Sequence, residues 1–173
     1  MDRFSQYAVV ASNMAAGQVS IYLGDKGPNT NVCTACVSGT HSTGDALKII
    51  QRGYADIMVA GGSEAPITAL SFYGFCNMKA MSTRNDEQKT SSRPFDKDGD
   101  GTTKSMIMVL EAVVCAMSIY DKFIPPTTNV QNLDEELGLD YVLYKGREKE
   151  VRYSMSNSLG FGGHNATLVF NKY

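Results

Sequence analysis

A chain of 173 residues, 43% of them hydrophobic, can bury one sizeable core, and sixteen basic against eighteen acidic residues leave a formal charge of -2. That balance gives no electrostatic footprint for nucleic acid or an anionic membrane, so the partners expected are small molecules or other proteins. Four cysteines, Cys33, Cys36, Cys76 and Cys115, are too few for a disulfide scaffold, and reduced thiols are the natural reading.

At the start of the chain, Tyr7 and Ser12 interrupt a short apolar stretch that lacks the long core of a signal peptide. No stretch reaches the roughly 18 apolar residues of a membrane span, so a soluble, intracellular protein is expected. From Ser38 onward, Thr43, Ala46, Leu47 and Ile50 fall at helical spacing with Asp45, Lys48 and Arg52 off the stripe. This predicts an amphipathic helix over 38–52, ended by Gly53. Asp56-Ile57-Met58-Val59-Ala60, closed by Gly61-Gly62, predicts a buried strand entering a tight turn. A helix followed by a buried strand points to α/β layering.

Residues 82–101 are polar and carry Pro94 and two glycines, which predicts a surface loop. Beyond it, Met106, Val109, Leu110, Val113 and Met117 recur at helical spacing, with Ile107, Val114 and Ile119 on the other face, so a helix buried on all sides is expected. Pro125-Pro126 predicts an extended segment. Val151, Tyr153 and Met155 alternate with Arg152 and Ser154, and Thr167-Leu168-Val169-Phe170 is a second strand candidate after "GFGGHN".

Cys36 sits between an apolar, extended segment and the start of the 38–52 helix. Unpaired N–H groups and partial positive charge at a helix start stabilise a thiolate and can bind a developing oxyanion. A buried structural cysteine is the competing reading. Cys33 and Cys36 also form a C-x-x-C, which suits a redox pair or half of a zinc site, but Cys76, Cys115, His41 and His164 are single and scattered. "DKDGDG" at 96–101 matches the opening of a calcium loop, yet Ile107 at the twelfth position cannot supply the bidentate carboxylate, so a solvated acidic loop is expected. "SLGFGGHN" lacks the spacing of a phosphate cradle and fits a sharp loop where backbone comes close to something else. His41 reads as a packed or exposed histidine rather than a base, and His164 stays undecided.

Taken together, "TACVSGTHSTGDALKIIQRG", "ADIMVAGGSEAPIT", "MSTRND", "SRPFDKD", "TTKSM", "FIPPTTN" and "SNSLGFGGHNATLVF" resemble the β-ketoacyl-[acyl-carrier-protein] synthases, most closely the type II condensing enzymes of fatty-acid synthesis. The resemblance implies a thiolase-like, layered α/β fold with mixed sheets, incomplete relative to the full two-half fold. It implies one domain over 1–173, with a nucleophile-cysteine half at 13–101 and part of a C-terminal half at 102–173. It also implies a homodimer and an acyltransferase that performs a decarboxylative Claisen condensation with malonyl-acyl carrier protein. Acyl carrier protein and acyl and malonyl thioesters would be the partners. No metal or cofactor would be bound, because phosphopantetheine arrives on the carrier. The compartment would be a bacterial cytoplasm or an organellar stroma or matrix.

By the same resemblance Cys36 takes the acyl group, its N–H and that of Phe161 form the oxyanion hole, the Phe161 ring gates the acyl pocket, and Gly160 and Gly162 are substrate-binding or supporting residues. Lys104 matches the family's active-site lysine, and Glu111 a nearby acidic residue that supports it. Family sequence is skipped near Ser12-Asn13, after Gly101 and at Met106-Ile107. The second join omits the segment bearing an "HGT" histidine, and the third lacks the "GH" that follows "KSM". Two alternatives remain at this level: a synthase-like partner or scaffold without chemistry, and a C-x-x-C redox or metal protein.

Overall fold

The computed structural model describes residues 14–64, 67–99 and 108–173. The chain packs as two compact units, one of Met1–Ser63 with Asn157–Leu168 and the other of Glu64–Ser156 with Val169–Tyr173.

The first unit contains helix α1 over 14–23, to which Asn29 is tied: its side-chain amide donates to the Ala16 carbonyl (3.2 Å) and to Ser20 Oγ (2.6 Å). Helix α2, Ser38–Gln51, follows the predicted periodicity and stops at the predicted place. Gly53 takes φ +74°, its N–H reaches the Ile50 carbonyl, and the Tyr54 N–H reaches that of Ile49, which satisfies the last carbonyls of the helix. The buried face, however, is Gly39, Thr40 and Ala46, while Leu47 and Ile50 of the expected stripe are exposed. Small side chains admit a closer neighbour than leucine or isoleucine would.

The expected buried strand at 56–60 does not form. No described residue pairs with it, and Ile57 (84% exposed) and Val59 (65%) face solvent. A strand needs a neighbour to satisfy its N–H and C=O groups, and apolar composition alone does not supply one.

In the second unit, α3 (Ala69–Asn77) begins at Thr68, whose side chain accepts from the Ser71 N–H at 3.3 Å. The polar stretch from 82 to 99 is a loop, as predicted, with one 3-10 turn at Asn85–Glu87. Asp96, though, is buried rather than solvated. Its Oδ2 accepts from the backbone N–H groups of Gln131 (2.6 Å) and Asn132 (3.0 Å), and its Oδ1 from that of Asp98 (2.9 Å). Those donors, from Asn132 and Gln131 above all, hold its carboxyl below the usual value of 3.8. The Phe95 and Tyr141 rings meet at a tilt of 51° with centroids 5.1 Å apart, and Asn129 donates to the Ser92 carbonyl at 2.9 Å.

Helix α4, Met108–Asp121, occupies the predicted position but is not buried on all sides. Cys115 and Ser118 are covered, whereas Leu110, Val113, Val114, Met117 and Tyr120 are exposed. An all-apolar helix needs neighbours all round, and in its unit the described residues cover one narrow stripe. Strand β1 (Phe123–Ile124) packs on α4 and pairs antiparallel with β2 (Arg147–Glu148), Ile124 opposite Arg147. After Pro125-Pro126 the chain bridges Thr127 to Leu143, and the Thr127 N–H donates to the Val142 carbonyl at 2.8 Å.

Strands β3 (Tyr153–Leu159) and β4 (Asn165–Asn171) form a hairpin whose length passes through both units. Both strands were expected, and β3 buries its serines rather than its apolar residues. Ser156 and Ser158 point inward, while Tyr153, Met155 and Leu159 are exposed. With a side-chain period of two, hydrogen bonding by one serine fixes the whole register. Ser156 donates from Oγ to the Glu111 carboxylate at 3.0 Å, and Ser158 pairs with Thr40.

Candidate active site

The segment ahead of α2 folds into a turn that presents Cys36. Ala35 takes φ +51°, a left-handed conformation unfavourable for a residue with a Cβ, and persists because its neighbours fix it. The Val37 N–H donates to the Thr34 carbonyl and the Ser38 N–H to that of Ala35, both at 3.2 Å. Ser38 Oγ accepts from the Thr34 N–H (2.9 Å) and donates to the Ala35 carbonyl (2.7 Å). Thr34 Oγ1 bonds His41 Nδ1 at 2.7 Å, which ties the turn to the first turns of α2. Cys36 itself is half-buried and free of any disulfide.

No side chain caps α2, and no acidic residue lies in its first turn. No acidic side chain of that first turn therefore offsets the positive end of the helix dipole beside Cys36.

The glycine-rich segment is the tip of the β3–β4 hairpin. The Gly160 N–H closes it on the His164 carbonyl at 2.7 Å, and Gly162 and Gly163 take φ of +88° and +85°. Phe161 stands at the tip, about half exposed. Gly160 lies against α2: a Cβ built there would come within 2.6 Å of Val37 Cγ2 and 3.1 Å of the His164 carbonyl oxygen. Val37 is 0% exposed. The residue after Cys36 thus packs on the residue before Phe161, which brings these two predicted elements together within one unit. Three residues further into α2, Thr40 Oγ1 and Ser158 Oγ share a buried hydrogen bond of 2.6 Å.

Of the remaining candidates, Glu111 belongs to the second unit, where it accepts from Ser156. Lys104 lies outside the described residues, as do the joins near 12–13, 101–102 and 106–107. His41 is engaged by Thr34, and His164 is exposed, serving the turn through its carbonyl. Cys33 and Cys76 are exposed and Cys115 is buried. Among the described residues no three His, Cys, Asp or Glu side chains are grouped to hold a metal ion. In "DKDGDG", Asp96 spends its oxygens on backbone N–H groups rather than facing outward as a cation ligand would.

Thr34, Val37, Thr40 and Ser158 were not singled out from the sequence. For Thr34 a signal exists, since a threonine four residues before Ser38 suits a side-chain bond across a turn. Thr40 and Ser158 are 118 residues apart, and no local pattern joins them.

Solved ketosynthases share this fold. A type II PKS ketosynthase in complex with its acyl-carrier protein, AntDE:AntF, superposes with a TM-score of 0.84 at 18% identity, over 92% of this chain and 66% of that one. A β-ketoacyl synthase from Burkholderia phymatum STM815 gives 0.75 at 19% identity, over 90% and 64%. The architecture is therefore the layered α/β, thiolase-like fold. The family model of the β-ketoacyl synthase N-terminal domain matches residues 2–111, and the chain belongs to that family. The chain is 30% identical to 3-oxoacyl-[acyl-carrier-protein] synthase 2 of Synechocystis, with 95% of it aligned, and 31% identical to the enzyme of that name from Staphylococcus aureus, with 93% aligned. It spans 66% of the length of each. The Synechocystis alignment runs over 276 positions, more than the 173 residues present, so it skips family segments internally.

Proposed function

We infer that the chain is a β-ketoacyl-[acyl-carrier-protein] synthase polypeptide whose Cys36 accepts an acyl group from a thioester for decarboxylative condensation with malonyl-acyl carrier protein in fatty-acid elongation. The single observation that carries this reading is the Val37–Gly160 packing, which holds the thiol-bearing turn against the Phe161 loop. In the transfer, Cys36 Sγ attacks the thioester carbonyl and the oxygen becomes an oxyanion facing the backbone N–H groups of Cys36 and Phe161. The carbon–sulfur bond of the donor then breaks, and the donor thiol leaves with the proton. Lys104 and Glu111 carry the supporting electrostatic roles that the family resemblance assigns them.

The names of the relatives and the carrier-bound neighbour support acyl carrier protein as the partner. On this reading phosphopantetheine arrives on that carrier and the protein needs no cofactor of its own. No helix among the described residues is long and apolar enough to cross a membrane, which fits action on carrier-borne substrates in the cytoplasm of a bacterium or in an organellar matrix. A homodimer is part of the same proposal.

Condensation makes a demand that acyl transfer does not, because charge develops on the malonyl thioester oxygen as carbon dioxide leaves. Neither His41, whose Nδ1 bonds Thr34, nor His164, which is exposed, matches a histidine that the family resemblance places there. Loss of one such donor typically costs about 10² to 10³ in rate. This favours acyl loading as the faster half-reaction and keeps an acyl-holding partner subunit as the second reading. The test is the intact mass of the 173-residue chain after incubation with an octanoyl thioester. A gain of one octanoyl group that disappears in Cys36→Ala is expected; a parent chain that gains no mass would end both readings and leave the scaffold without chemistry and the C-x-x-C alternative.

A further inference from the structure

We propose that Thr40 and Ser158 are positioning residues whose buried hydrogen bond sets the register between the Cys36 turn and the Phe161 loop, and so determines the rate of acyl transfer without taking part in it. This rests on the acyl-transfer reading above.

Thr40 is 2% exposed and Ser158 likewise 2%, and their oxygens are 2.6 Å apart. Each is the other's partner in a site closed to water, where an unpaired hydroxyl is costly, so the bond persists whenever the unit is folded. Thr40 is four residues past Cys36, and Ser158 is three before Phe161. Between bond and thiol lies Val37, packed on Gly160 so closely that no Cβ fits. Packing excludes a closer approach, but a valine methyl against a glycine is smooth and resists sliding weakly. The hydroxyl pair is directional, and it fixes where along β3 the helix start sits.

Register matters because the oxyanion donors come from two separate elements, the start of α2 and the hairpin tip. Their spacing must match the oxygen of a tetrahedral intermediate, and a displacement of about 1 Å can cost up to 10² in rate. Alkylation of a thiol passes through no oxyanion. Register error should therefore slow acylation and leave alkylation alone, whereas general loosening of the fold would move both together.

The deciding variant is Thr40→Val with Ser158→Ala in the full chain. It replaces both partners with apolar groups, so neither hydroxyl is left stranded and the fold is retained. Acylation of Cys36 by the octanoyl thioester and its alkylation by iodoacetamide are followed by peptide mapping, well below the melting temperature of each protein. The double variant should acylate about tenfold more slowly, with alkylation unchanged. Thr40→Ser, which keeps the hydroxyl, should acylate like the parent. An acylation rate equal to that of the parent in the double variant overturns the proposal, as does an equal fall in both reactions. Gly160→Ala gives an independent reading, because its new methyl pushes the loop away from Val37. Its acylation should fall and partly recover when Val37→Ala is added; no recovery counts against the register argument. A parent chain that fails to acylate refutes the acyl-transfer reading itself and is distinguishable from all of these outcomes.

Discussion

The turn at 33–40 and the run at 54–60 flank the same helix and meet opposite fates. The turn is built of small and polar residues, yet Val37 and Thr40 are sealed from solvent and most of its polar atoms have named partners. The run is almost wholly apolar, yet Ile57 and Val59 stand in water. Burial here follows available neighbours rather than hydropathy. The second unit repeats the contrast, with the Asp96 carboxylate buried under backbone N–H groups while Leu110 and Val113 of α4 are exposed.

Three substitutions would break or sharpen that contrast. The largest effect belongs to Gly160→Ala, because the added methyl meets a fully buried valine that has nowhere to swing. Overpacking of this kind costs about 1–3 kcal/mol, read as a lower midpoint in urea. An unchanged midpoint would mean that the hairpin tip is not pressed against α2.

The second effect is present at neutral pH and disappears in acid. Asp96 has its carboxyl lowered, by the N–H groups of Asn132 and Gln131 first, so its stabilisation is complete above the unfolded value of 3.8 and is lost as pH falls through the lower folded value. Asp96→Asn should be less stable than the parent at neutral pH, with the gap closing below that value. Asp140, lowered in the same direction by its hydrogen bonds to Arg147, contributes equally to both proteins and cancels in the comparison. A gap that stays constant from pH 7 to pH 3 would remove Asp96 as an anchor. The smallest effect is that of Ile57→Lys, which should shift stability by less than about 0.5 kcal/mol while raising solubility. A loss of several times that amount in thermal unfolding would show that the run is covered after all.

Much of the architecture was legible where the signal is local. Helical spacing and Gly53 marked α2 and its end, alternation and glycines marked strand candidates at β3 and β4 with a sharp loop between, and polar residues marked the 82–99 loop. What could not be read depends on partners remote in the chain. Nothing within 56–60 reveals whether a neighbouring strand exists, and nothing in "YSMSNSL" says that Ser156 and Ser158 will find Glu111 and Thr40. Helix α3 was missed for another reason: "ALSFYGFCN" is apolar on most sides, so periodicity had no contrast to detect, and the Thr68 cap was the available clue. Cys36 and Phe161 were singled out through a family resemblance. The threonine and serine that join their elements required three dimensions.

Gly162 and Gly163 carry one more consequence. Both adopt φ near +85°, and a Cβ built on either meets at most the His164 ring edge at 4.0 Å, so what bars a side chain there is handedness rather than room. A D-alanine introduced at Gly163 by chemical ligation would sit in its own preferred backbone region while narrowing the unfolded ensemble. The hairpin tip of this all-L chain is thus a place where the mirror-image amino acid is the better fit.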